Sequence, residues 1–165
     1  MLHDVVWRQF GGAIDMLENS IRAFPEELWG DRERNPQVWA TVFHTLFWLD
    51  YYLADSYESF ASPFGLTELD PAGVLPERVL TKAEMQGYLE HGREKLRALL
   101  ERIDGAGLDA PRKFGSVEGT VLESLLYNLR HVQHHCGQLN LILRQEVDDA
   151  PRWVGKTSHV LGRTS

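Results

Sequence analysis

The chain has 165 residues and a formal net charge of −7, enough for one domain with a core of its own. Acidic residues are spread along it and no basic stripe is denser than Arg32 with Arg34, so a nucleic-acid partner is not expected. Cys136 is the single cysteine, which excludes an internal disulfide; with no basic-then-apolar leader around Asp4 and Arg8, the expected location is cytoplasmic.

The elements read as helices, and no period of 20–50 residues repeats, which argues against a solenoid. The first helix spans about residues 2–24 and stops at Pro25, after which a short turn of helix is expected through Trp29. The second opens at Asn35-Pro36, an N-cap residue followed by a proline at the first helical position, and continues to about residue 59. Its apolar run over residues 38–53 is interrupted by His44 and Asp50 and is too short for a membrane span, so no membrane partner is expected. Residues 61–80 carry Pro63, Gly65, Pro71, Gly73 and Pro76 and read as a long loop, a kind of segment that is often functional. Thr81 and Glu84 form a capping-box pattern that opens the third helix, which fades at Asp104-Gly105. The fourth opens near Ser116 or Thr120, where Thr120 and Glu123 repeat the capping box, and runs to about Gln145. Strand evidence is thin. The expectation is therefore an all-α four-helix bundle over residues 1–146, with a long crossover between the second and third helices. Residues 147–165 form a C-terminal tail whose packing on the bundle is left open.

The histidines carry the chemistry. On a helix, His131 and His135 lie about 40° apart and about 6 Å along the axis, so both rings can face one cation. Arg130, Gln133, Gly137 and Arg144 share the opposite wedge, which must face solvent, so the two histidines point inward. Unpaired rings there would be costly. His134 is a poorer partner for His131, because it lies nearer the solvent edge. A third ligand must come from another helix, and His44, in the apolar stretch Val42-Phe43-His44-Thr45-Leu46, is the best candidate. For each ring the alternative is an ordinary core histidine bonded to backbone or carboxylate. His3, His91 and His159 read as surface residues, and Asp50 points away from His44. Cys136 faces the apolar arc and reads as a buried small hydrophobe.

A mid-helix histidine on the second helix, a long crossover, and His131-x-x-His134-His135-x-Gly137-Gln138 late in the fourth resemble the DinB family. That family groups with the YfiT-like metal-dependent hydrolases and thiol S-transferases. The resemblance covers residues 2–145 and implies that His44, His131 and His135 bind a divalent metal, nickel or zinc. It also implies an up-down-down-up bundle, homodimerisation, and a small-molecule substrate, with a low-molecular-weight thiol such as bacillithiol or mycothiol as a cosubstrate. The family often has arginine where this chain has Cys136. A three-histidine site keeps a coordination position open and can lower the pKa of a bound thiol or water, as an S-transferase or a hydrolase needs. Asn128 and Gln138 are candidates for orienting a ligand ring or binding substrate, and Trp48 and Tyr51 for walling a pocket. The other reading is a non-catalytic metal-binding bundle that serves as an interaction module.

Overall fold

In chain order the elements are α1 (Leu2–Ala23), α2 (Glu26–Gly30), α3 (Val38–Tyr52), α4 (Lys82–Arg102), α5 (Gly105–Leu108), β1 (Pro111–Phe114), β2 (Val117–Thr120) and α6 (Val121–Glu146). The structure, a computed structural model, describes residues 2–55, 57–58, 60–69, 78–114 and 117–162. It is an all-α fold with one small hairpin. Local chemistry sets two of the helix starts. Thr81 and Thr120 each accept from the backbone N–H three residues on, while Glu84 and Glu123 reach back to the N-cap N–H. Each box satisfies two donors that a helix start otherwise leaves open.

α3 departs from the sequence expectation at both ends. Asn35-Pro36 is a cis peptide bond and precedes the helix. The N-cap is Gln37, whose side chain accepts from Trp39 Nε1 at 2.8 Å and donates to Arg32 O at 3.0 Å instead of capping. The helix ends at Tyr52, short of the expected position near residue 59. Arg112, on β1, donates to Tyr52 O at 2.9 Å and Ala54 O at 2.8 Å, supplying partners for carbonyls that a continuing helix would have bonded itself. The last turn also tightens, with Leu53 N on Asp50 O at 3.1 Å.

β1 and β2 pair antiparallel, from Pro111↔Thr120 to Phe114↔Val117. Four-residue strands are too short for an alternating pattern to declare itself, which is why the sequence shows the helices and not this hairpin.

α1 and α3 each pack against both α4 and α6. Phe10, Ile14 and Leu17 of α1, Trp39 and Phe47 of α3, Leu96 and Leu100 of α4, and Val132 and Leu139 of α6 are fully enclosed between them. No helix among the described residues is long and apolar enough to cross a membrane. Within the expected loop over residues 61–80, residues 70–77 lie outside the described residues. The part before them is packed, with Phe60, Phe64 and Leu66 against the core.

The tail lies along α1. Trp7 Nε1 donates to His159 O at 2.8 Å, and Thr157 N donates to Arg8 O at 3.0 Å. Gly11 permits this approach, since a Cβ there would sit 2.6 Å from Thr157 Cγ2.

Candidate metal centre

His44 sits mid-way along α3, and His131 and His135 lie one turn apart on α6, where these two helices pack together. The three side chains converge through one nitrogen each. His131 Nε2 is 3.3 Å from His44 Nε2 and 3.1 Å from His135 Nε2. Nitrogens bound to one ion at about 2.0–2.1 Å are about 3.3 Å apart in a tetrahedron and about 2.9 Å apart in an octahedron. Both observed edges fall in that range.

Hydrogen bonding on the outer nitrogens decides where the protons are. His44 Nδ1 lies 2.8 Å from the Glu68 Oε2 carboxylate, and His135 Nδ1 lies 2.7 Å from Gln138 Oε1. Both partners accept, so both Nδ1 atoms carry the proton and both Nε2 atoms present bare lone pairs. His131 can offer its one proton to only one of them. Two or three lone pairs therefore face one another with too few protons between them, and a cation fits that void. His131 Nδ1 is buried without a hydrogen-bond partner, and so is Asn128 Oδ1 three residues earlier on the same helix. With the metal on Nε2, His131 would carry its proton on Nδ1.

Electrostatics favours the neutral form of His131 and His135. Burial, followed by the neighbouring His135 and His44, pushes His131 from 6.5 down to about 3. Burial also lowers His135, against an opposing hydrogen bond from Gln138. Neutral imidazole is the ligand form. The group is accessible as well, because the His44 side chain is 36% exposed.

The remaining candidates separate cleanly. Gln138 contacts a ligand ring directly, whereas the Asn128 amide donates to Leu49 O at 3.0 Å, a carbonyl near the tightened end of α3. Trp48 meets His44 edge-on with ring centroids 6.3 Å apart. Tyr51 is one ring further out, stacked on Tyr57 at 4.6 Å. His134 is exposed beside His135 and does not join the group. A surface depression of about 520 Å³, lined by Tyr127, Leu129, Arg130, His131, Gln133 and His134, touches the triad at His131. Burial pushes the Cys136 thiol up to about 12, leaving it protonated and unreactive. His91 and His159 are exposed, as expected. His3 is not: it is 3% exposed and donates from Nε2 to Asp104 O, at the start of α5, at 3.2 Å.

Sequence reasoning missed Glu68. The loop also holds Asp70 and Glu77, and nothing in its pattern distinguishes the carboxylate that folds back onto α3. A second group of ligand-type side chains, Asp15, Glu18 and His159, also lies close together. Its centre is held by Arg93, with Nη2 3.1 Å from Asp15 Oδ1 and 2.6 Å from Glu18 Oε2.

A family model described as the DinB superfamily matches residues 9–139, a span that contains all three converging histidines. No curated protein and no solved structure matches the chain.

Proposed function

The chain belongs to the DinB superfamily, and from that premise we propose that His44, His131 and His135 bind one divalent metal ion, nickel or zinc, in a metal-dependent enzyme. The reaction is thiol S-transfer or hydrolysis on a small molecule. One observation carries this reading: three imidazole nitrogens converge at edges of 3.1 and 3.3 Å with too few protons to satisfy them.

A metal held by three neutral ligands supplies Lewis acidity and makes a thiol or water more acidic. The chain's own groups prepare the site for it. Glu68 and Gln138 hold protons on the outer nitrogens of His44 and His135 and so aim the inner lone pairs. Trp48 stands edge-on beside His44. The alternative, a non-catalytic interaction module, favours a closed site, and the 36% exposure of the His44 side chain weighs against it. A homodimer remains part of the proposal, with exposed Leu126 and Leu141 of α6 as an apolar contact.

Metal content measured by mass spectrometry tests the site. The wild-type protein should carry near-stoichiometric metal and His131→Ala should lose it; stoichiometric metal in the variant would remove the assignment. Turnover of an electrophile with bacillithiol, mycothiol or glutathione would then support the transferase. Inactivity with all of them, and with hydrolysable substrates, would favour the interaction module.

A further inference from the structure

Glu68 is the one carboxylate hydrogen-bonded to a ring of the triad among the described residues. His135 has a neutral amide on its outer nitrogen and His131 has no partner there. Glu68 is also the one orienting group that does not come from a bundle helix. It belongs to the loop after α3, and that loop is packed on the bundle just before it. Phe64 packs edge-on against Tyr88 with ring centroids 5.6 Å apart, and Phe60 does the same against Phe47 at 5.3 Å. Gly65, at φ +63°, closes a turn with its N–H on Ser62 O at 3.2 Å. Beyond Glu68, Leu69 N donates to Thr67 Oγ1 at 3.0 Å.

We propose that Glu68 is a positioning residue: by accepting a hydrogen bond from His44 Nδ1–H it fixes His44 as an Nε2 ligand, and through it the packed loop and the metal stabilise each other. The proposal rests on the three-histidine metal reading. A carboxylate on the outer nitrogen selects the tautomer, fixes the ring plane and makes the inner nitrogen more basic. Coupling of this kind is reciprocal. Whatever factor Glu68 contributes to metal affinity, the metal returns to the docked state of residues 60–69. A carboxylate that only tied the loop down would leave the metal site unaffected.

The test uses the full chain and zinc as the probe, with Glu68→Ala and Glu68→Gln compared with wild type in a competitive zinc titration. Glu68→Ala should weaken zinc binding about 10–100-fold. Glu68→Gln, whose amide oxygen still accepts the Nδ1 proton, should recover most of that loss. In the metal-free proteins, nitrogen NMR should find His44 protonated on Nδ1 in wild type and Glu68→Gln, and shifted toward Nε2 in Glu68→Ala. Zinc should slow amide exchange over residues 60–69 in wild type but not in Glu68→Ala. Unchanged zinc affinity and tautomer in Glu68→Ala would overturn the proposal, as would equal losses in the two variants. Wild type that fails to bind zinc overturns the metal reading and the coupling with it. In that case the tautomer measurement still decides whether Glu68 positions His44.

Discussion

His44, His131 and His135 gather three neutral donors between α3 and α6, whereas Asp15, Glu18 and His159 gather two carboxylates and an imidazole between α1 and the tail. By ligand type alone, either could be a metal site. The difference lies in what the chain places at the centre. Arg93, 2% exposed, reaches from α4 into the acidic group and bonds Asp15, Glu18 and Glu90. Burial works against its charge, but the bonds and charges of Glu18 and Glu90 outweigh that and raise its pKa. Among the described residues no such cation is bonded to the histidine group. The charged group hydrogen-bonded to it is Glu68, which adds negative charge. A cluster of donors points to a metal only where the fold has not already supplied the positive charge.

Removing the internal cation should give the largest effect. Arg93→Ala leaves Asp15 and Glu18 facing each other with little solvent, and should lower stability by about 3–5 kcal/mol in urea unfolding. A loss below about 1 kcal/mol would mean that the acidic group is solvated and the contrast is false. Gly11→Ala disturbs the same region from the tail side. Its Cβ would meet Thr157 at 2.6 Å, so the tail carrying His159 must shift, at about 1–3 kcal/mol. Faster proteolysis within residues 150–162 should accompany the change; an intact tail of unchanged stability would contradict the close approach.

The histidine group should respond to pH when metal is absent. His131 is neutral in the fold down to about 3 but titrates at 6.5 when free. Stability is therefore fully present above pH 6.5 and falls as the unfolded chain takes up a proton that the folded chain refuses. The slope between 6.5 and 3 should not exceed about 1.4 kcal/mol per pH unit for this one proton, less a discount for the ring's partial exposure. His131→Leu should flatten it in metal-free thermal unfolding. An unchanged slope would show that the ring is not held neutral.

What the sequence discloses follows from how local the physics is. The capping boxes at Thr81 and Thr120 act within four residues and can be read directly. His131 and His135 are legible as a pair because one helix turn fixes their relation. His44 has no such local tie; its place in an apolar helix makes it a candidate, and it joins them in the sequence reading mainly through the family resemblance. Glu68, 24 residues from His44, is positioned by tertiary packing of Phe60 and Phe64, which no window of sequence displays. The start of α3 is misread for a similar reason: Asn35-Pro36 has the composition of a helix start, but Gln37 and its contacts decide the boundary. His3 looks exposed from its place in the chain, but it is buried and bonded to Asp104, 101 residues on. Gly11-Gly12 in the middle of α1 is not singled out by the sequence, because what it accommodates, the tail, lies at the other end of the chain.

That tail also constrains the order in which the molecule can be completed. The Trp7 indole finds its acceptor on a residue 152 positions later. One face of the first helix made therefore cannot be finished until almost all of the described chain is available. Bringing such distant partners together carries a loop-closure entropy that local helix formation does not. The tail's return across Gly11 is what closes that face of α1 in the folded molecule.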